Sequence, residues 1–579
     1  MAAGQDLSAA ERALAIGDSE SALAILSGRE DPPSRHLRAM AYRRSGRLEE
    51  AWREFQAALA AAPRDPFVAN NFANLLAQLG MTDEALRLYD HALALQPGYR
   101  DAGFNKALLL SALDDHAAAL ALLEQLSVAY PADARVHSAR GALLRRLERH
   151  DEAARAYDAA LNEQPNLPTA LKGRAQVALE RGERDAPQRY HRAVEADPGD
   201  LGAIHGYAEA LEADGSEQAT AILENVLADR PDWVEGQTLL SRMKAERGEG
   251  DFTAAMRQAA ARVPESRPLA LALATMLAGA GRWEDALMAL PDGVDPELTN
   301  MRAHYLSEAN RPVDALALIG RSAEASPAAS VIAARAHLRL GDWGSAAREL
   351  EKALAVNPAD ITAWGLVELT WRLMNDPRAS WLSGQRGLIG THDIDLDETE
   401  LTELANTLNG LHRTRAHPIG QSLRGGTQTR GNLFLRGEPI LRRLRNALMR
   451  AVTDYVANLP QFDEGHPLLR HREGNFSIRG SWSVRLTGSG FHLNHIHPEG
   501  VISSACYIAV SEGMSDNPDQ PGWLELGRPP AELSLPIEPL AMVEPRPGRV
   551  ALFPSYLFHG TRPFAHGERL TVAFDVAVA

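Results

Sequence analysis

Residues 67–100 read FVANNFANLLAQLGMTDEALRLYDHALALQPGYR. Apolar residues recur at i, i+3, i+4 and i+7 in two runs, interrupted at Leu79-Gly80-Met81-Thr82. That spacing places one apolar stripe on each of two helices, with a glycine-containing turn between them. Pro97 then stops the second helix, because its ring removes an N–H and crowds the preceding turn. A pair this short cannot bury its stripes alone, so it must stack on neighbours.

The neighbours follow the same beat. Pro63, Pro97, Pro131 and Pro165 are 34 residues apart, as are Ala51, Ala85, Ala119 and Ala153, and Pro198, Pro231 and Pro264 follow at steps of 33. The small alanines let paired helices approach closely. Spacing loosens after Pro264, yet residues 338–360 (LRLGDWGSAARELEKALAVNPAD) still read as a late unit, and the beat ends near Trp381. About ten or eleven units fit, with a degenerate first one near Leu7 to Arg29. This period and pattern resemble the tetratricopeptide repeat family. The resemblance implies a right-handed superhelix with a concave groove for a peptide or protein. The residues leave two uses open: a groove for a partner, or a support for another domain. Dimerisation through the array is a third.

The chain has 579 residues, too many for one core. Its net charge of −16 argues against general nucleic-acid or anionic-membrane binding. A single cysteine, Cys506, excludes an intrachain disulfide and suits a reducing compartment. The N-terminal stretch MAAGQDLSAAERALAIGDSE has neither a basic nor an apolar region of signal-peptide type, and no long apolar run is present. The expectation is a cytoplasmic protein.

After Trp381 the pattern changes. A helix is predicted from about Glu398 to Leu411, an irregular loop over 413–432, and another amphipathic helix from Pro439 to Leu459. Nine arginines and one acidic residue, Glu438, lie between Arg413 and Arg450. They fit a solvated helix face with loop arginines, or a patch for an acidic substrate. From Asn475 the chain alternates in short strands: NFSIRGSWSVRLT, FHLNHIH, ISSACYIAV, WLEL, RVALFP and RLTVAFDVAV. Strands with no helix between them predict a sandwich or barrel. The whole is expected to be a multidomain α + β protein. The all-α array spans 1–381, a connecting helix and loop 382–430, and the β domain 431–579.

The chemistry lies in that last domain. His495-Ile496-His497-Pro498-Glu499 is followed by His559, and Arg569 lies ten residues further on. Residues two apart on a strand share a face, so His495 and His497 converge, with His492 and Asn494 on the other side. Three imidazoles leave coordination positions open on a metal such as iron. Arg569 and Thr571 open a strand on one side, where a guanidinium grips a carboxylate through two parallel hydrogen bonds. An iron site beside a carboxylate clamp suits 2-oxoglutarate. Two ligand registers compete: His495/His497/His559, or His497/Glu499/His559 with a carboxylate. Pro498 interrupts the second and favours the first. Tyr507 stands either as co-substrate contact or as core. His412, His417, His466, His471, His492 and His566 are read as ordinary polar histidines, Trp482 and Trp523 as core or pocket wall, and Cys506 as unreactive.

As a set, Arg424-Gly425-Gly426-Thr427-Gln428-Thr429, Ser481-Trp482, His495-x-His497-Pro498, residues 548–555, His559 and Arg569-Leu570-Thr571-x-Ala573-Phe574-Asp575 resemble the 2-oxoglutarate and Fe(II)-dependent oxygenases, in particular a bacterial family often fused to tetratricopeptide repeats. The resemblance implies a double-stranded β-helix (jelly-roll) fold, Fe(II) and 2-oxoglutarate. It also implies O2-dependent hydroxylation, with no catalytic side chain beyond the metal ligands. The array would then present a peptide or protein substrate. Two other readings remain at this point: a non-catalytic adaptor with a degenerate domain, and a three-His iron dioxygenase that does not use 2-oxoglutarate.

Overall fold

The computed structural model describes residues 2–321, 326–514 and 518–578. Among these, twenty-four helices run in succession from Ala2–Ala15 to Arg378–Ser383, and no strand interrupts them. The unit quoted above forms Pro66–Gln78 and Thr82–Leu95. Asp65 caps the first helix by accepting from the N–H groups of Phe67 and Val68, and Pro66 occupies its first turn. Gly80 takes φ +77° in the turn, a conformation that favours glycine. Ala51, Ala85, Ala119 and Ala153 are fully buried where helices meet.

The chain divides into two compact units. One comprises residues 1–179 and 188–199, all helical repeats; the other comprises 180–187 and 200–579. The second unit thus contains both later repeats and the β structure. No helix among the described residues is long and apolar enough to cross a membrane.

Nine strands form two antiparallel sheets in the second unit, in double-stranded β-helix fashion. They are β1 (Gly390–Asp393), β2 (Leu423–Gln428), β3 (Phe476–His492), β4 (Ile502–Val510), β5 (Leu524–Leu526), β6 (Ala541–Val543), β7 (Arg549–Pro554), β8 (His559–Thr561) and β9 (Arg569–Val578). The larger sheet runs β1-β7-β4-β9-β3-β2 and the smaller β6-β5-β8. Both edges of the larger sheet come from segments read in the sequence as connecting helix and loop. β2, LRGGTQ, lacks apolar alternation because its glycines serve close approach. A Cβ on Gly426 would lie 2.3 Å from Arg485 O, and one on Gly425 2.9 Å from Gly490 Cα. The helices Glu398–Asn409 and Pro439–Ala457 form as expected.

One continuous core joins the last repeat helices to the strands. In the helix Ile361–Leu373 every position from Ile361 to Trp371 is buried except Thr362. Gly365 lets it approach the loop that leads into β8: a Cβ there would lie 2.9 Å from Tyr556 O. Tyr556 Oη donates to Leu382 O at 2.5 Å, and Arg372 Nη1 donates to Gly527 O at 2.6 Å. Late repeats therefore act as a wall of the β domain.

That wall contains Glu368, buried beside Arg372 at 3.3 Å and receiving a hydrogen bond from Ser383 Oγ at 3.0 Å. Burial pushes its carboxyl up to about 7, against the pull of Arg372. The folded protein keeps a proton that the unfolded chain releases from about 4.5 upward, so stability falls as pH rises from there to about 7 and is level above. Glu368→Gln is expected to remove this slope. Relative to wild type it gains up to about 3 kcal/mol between pH 4.5 and pH 8. Urea unfolding followed through the adjoining Trp364, Trp371 and Trp381 cluster checks this. Parallel pH profiles for the two proteins would refute it.

Candidate metal centre

β3 ends at His492, and three residues later the chain rejoins the smaller sheet at a single bridge. His495 N–H donates to His559 O at 3.0 Å, and His559 N–H returns the bond to His495 O at 2.9 Å. Opposed residues in such a pair put their side chains on one face. The rings of His495 and His559 lie 4.3 Å apart, and His497, two residues along, stands 5.0 and 4.9 Å from them. One nitrogen from each of the three falls within 4.8 Å of the others.

The hydrogen bonds decide which nitrogens converge. His495 Nδ1 lies 2.8 Å from Leu493 O, His559 Nδ1 3.0 Å from Leu557 O, and His497 Nδ1 2.6 Å from Asp575 Oδ1. Carbonyl and carboxylate oxygens only accept, so each Nδ1 carries a proton, and each neutral ring then offers its lone pair at Nε2. His495 Nε2 and His497 Nε2 then face one another at 3.0 Å. Burial and the neighbouring imidazole push His495 down to about 3, and burial lowers His559 well below its ordinary range. A metal ion held between the two nitrogens would satisfy both lone pairs. Two nitrogens about 2.1 Å from one ion and at right angles lie about 3.0 Å apart. The donor set therefore fits a metal with its three protein ligands on one face.

Glu499 takes no part in this convergence: it is exposed in the turn after Pro498. The nearby carboxylate is instead that of Asp575, which holds the far side of His497. Such outer partners fix ring orientation and raise ligand basicity. Ser503 Oγ, 3.0 Å from Ser555 Oγ, donates to the same oxygen at 3.3 Å. The sequence reading missed this role of Asp575; its signal is that Asp575 shares a β9 face with Arg569 and Thr571.

His492 departs from expectation. Strand alternation puts it on the face opposite His495, but the regular strand stops at His492. Its ring stacks on His495 at 5.9 Å and 21°, and its Nδ1 meets Ser422 Oγ at 3.1 Å. Ser422 Oγ also lies 3.2 Å from His495 Nε2. His412 and His466 are internally satisfied: His412 between Thr427 and Ser483, His466 between Leu382 O and the N–H groups of Leu468 and Leu469. Trp482 forms a wall against His497, with ring centroids 5.4 Å apart. Cys506 is buried, which pushes its thiol up and makes it inert.

Arg569 is 2% exposed. Its Nη1 donates to Thr561 Oγ1 at 2.7 Å, and its guanidinium carbon stands 4.9 Å over the Tyr507 ring. Among the described residues no carboxylate pairs with it, its Nε has no hydrogen-bond partner, and the Tyr507 hydroxyl is its polar neighbour. Burial lowers the guanidinium and raises the phenol, while each partly offsets the other's shift. A buried cation with no carboxylate partner and an orphaned Nε donor fits an anionic oxygen ligand. Thr571 is also buried, and its hydroxyl donates to Val484 O at 3.5 Å. Thr561, rather than Thr571, is the hydroxyl that holds Arg569.

Of the nine arginines between 413 and 450, Arg413, Arg430, Arg436, Arg443 and Arg450 pair with carboxylates. Arg424 donates to the backbone oxygens of Gln421 and Leu423, both at 2.7 Å.

Residues 480–575 match the family model described as "Putative 2OG-Fe(II) oxygenase". Residues 76–143 and 327–367 match two models described as "Tetratricopeptide repeat". A comparison with curated proteins yields no match. Among solved structures, the C-terminal part of a TPR repeat-containing protein from Cytophaga hutchinsonii is similar at 16% identity, with 40% of this chain and 99% of that one covered and a TM-score of 0.33. PilF of Pseudomonas aeruginosa is 20% identical over 36% of this chain and 96% of its own, with a TM-score of 0.33. MamA (41-end) from Desulfovibrio magneticus RS-1 is 22% identical over 30% of this chain and 98% of its own, with a TM-score of 0.27. The chain thus carries tetratricopeptide-repeat segments in its N-terminal part and, at 480–575, a segment that matches the "Putative 2OG-Fe(II) oxygenase" domain family.

Proposed function

We propose that this protein is a 2-oxoglutarate- and Fe(II)-dependent oxygenase that hydroxylates a side chain of a peptide or protein substrate. The observation that carries the reading is the trio of imidazoles whose Nδ1 protons are all committed, leaving three Nε2 lone pairs converging. His495, His497 and His559 would hold the iron, and Arg569 the far carboxylate of 2-oxoglutarate, with Thr571 alongside. Bound there, the pair would supply an O2-derived oxidant, with succinate and CO2 as co-products. The chain's own work is positional. Leu493 O, Leu557 O and Asp575 hold the rings, Thr561 and Tyr507 hold the guanidinium, and burial excludes water. Residues 1–381 form the repeat array that would present the substrate. The domain at 431–579 carries the chemistry, and the 382–430 connection supplies two of its strands.

The test is anaerobic addition of Fe(II) and then 2-oxoglutarate to the full chain. The expected result is a weak visible charge-transfer band that requires both, and succinate formation on admitting O2. Iron binding without a response to 2-oxoglutarate would select a three-His iron dioxygenase instead. Absence of iron binding would select an adaptor.

A further inference from the structure

Residues 413–437 follow an unusual course. Arg413 Nη1 donates to Ala213 O at 2.9 Å, at the end of the helix Leu201–Ala213. The N–H groups of Arg415 and Ala416 donate to Glu246 O at 3.1 and 3.0 Å, at the end of Val234–Glu246. Gly420 N–H donates to Gly279 O at 3.1 Å, at the end of Arg267–Gly279. Ala213, Glu246 and Gly279 are 33 residues apart, so they are one position in three consecutive repeats. Terminal helix carbonyls lack intrahelical partners and carry the negative end of the helix dipole. The segment supplies N–H donors and arginines to just these groups.

After β2 the segment returns along the same repeats. Arg430 Nε donates to Glu246 Oε2 at 2.9 Å, and its terminal nitrogens pair with Glu212 and Glu246. Glu246 is 2% exposed. The cluster holds Glu209, Glu212 and Glu246 against Arg242, so Arg430 supplies needed positive charge. Gly437 N–H then donates to Arg181 O at 3.0 Å. Gly279 has no side chain where the segment passes: a Cβ would lie 2.8 Å from Ile419 Cγ2 and 3.4 Å from Gly420 N.

At the far turn of this excursion sits Ser422. Its carbonyl accepts from Leu493 N–H at 2.9 Å, and its hydroxyl reaches His492 Nδ1 and His495 Nε2. His495 Nε2 is an atom assigned above to the metal.

We propose that residues 413–437 are a positioning arm, docked on the repeat helices at Glu212, Glu246 and Gly279, that holds Ser422 against the imidazoles of the metal centre. The inference rests on the metal reading of His495. It implies that a basic segment of a partner protein competing for Glu212 and Glu246 would release Ser422 and alter the centre. The repeats at 201–279 thus serve an internal ligand, which couples their occupancy to the chemistry.

Co(II) is the probe, titrated into wild type, Ser422→Ala, Arg430→Gln and Gly279→Leu full chains, with hydrogen exchange followed over 413–437. Arg430→Gln and Gly279→Leu act at different contacts, so a folding defect in one leaves the other informative. Both are expected to raise exchange in the arm. Both should also change Co(II) affinity about tenfold and shift its visible absorption, each in the same direction as Ser422→Ala, because Ser422 Oγ lies at the His495 nitrogen assigned to the metal. Raised exchange with wild-type Co(II) affinity and spectrum would overturn the coupling, and so would unaltered exchange. Wild type that binds no Co(II) would instead defeat the metal reading itself.

Discussion

Replacing His559 or His497 with Ala is expected to abolish metal binding, and with it succinate formation from 2-oxoglutarate. Loss of an outer partner alone weakens metal about 10- to 100-fold, and loss of one of three ligands should exceed that. His495→Ala is expected to behave likewise, while Glu499→Gln keeps the metal. The contrast follows from position. His495 exchanges backbone hydrogen bonds with His559 and points Nε2 at His497, whereas Glu499 lies exposed beyond Pro498. Fe(II) or Co(II) titration under nitrogen reads the outcome, with far-UV circular dichroism to verify that each variant folds. Retention of metal by His495→Ala together with its loss in Glu499→Gln would mean that the carboxylate register holds.

What could be read from sequence depended on distance along the chain. The prolines and alanines at steps of 33 and 34 report a local period, and the helices follow it from Pro32–Arg44 onward. The three histidines were legible because their spacing and residue types are themselves unusual. Their partners were not. Asp575 reaches His497 across 78 residues and Ser422 reaches His495 across 73, and neither pairing leaves a local pattern. His492 was misplaced because strand alternation was extended past the point where the strand stops. The sequence of β2 reads as loop because glycine usually marks a turn, whereas here it admits a neighbouring backbone. The same limit hid the arm: a run rich in arginine looks like a solvated surface until Glu212 and Glu246, far upstream, are seen to face it.

Arg569 offers a test in which function and stability should move in opposite directions. Its guanidinium is buried with no carboxylate among the described residues, and its supports are the Thr561 hydroxyl and the Tyr507 side chain. A cation–π contact of this kind gives about 2 kcal/mol when desolvated, less than the several kcal/mol that burying an ion costs. The ligand-free site therefore holds strain that an anionic co-substrate would relieve. Arg569→Met removes the charge and fills the space with an apolar chain, so the ligand-free protein is expected to be at least as stable as wild type. The same change would delete the charged hydrogen bonds proposed for the co-substrate carboxylate, worth about 1.5–3 kcal/mol, so affinity for 2-oxoglutarate should fall about 10- to 100-fold. Arg569→Lys should not restore it, because an ammonium lacks the planar fork. Fe(II) binding survives in both variants, since no imidazole bonds to Arg569. Calorimetric titration of 2-oxoglutarate into the Fe(II) protein, with thermal unfolding of the ligand-free form, separates the two effects. Equal 2-oxoglutarate affinity in wild type and Arg569→Met would remove the clamp and leave an iron protein that uses a different co-substrate.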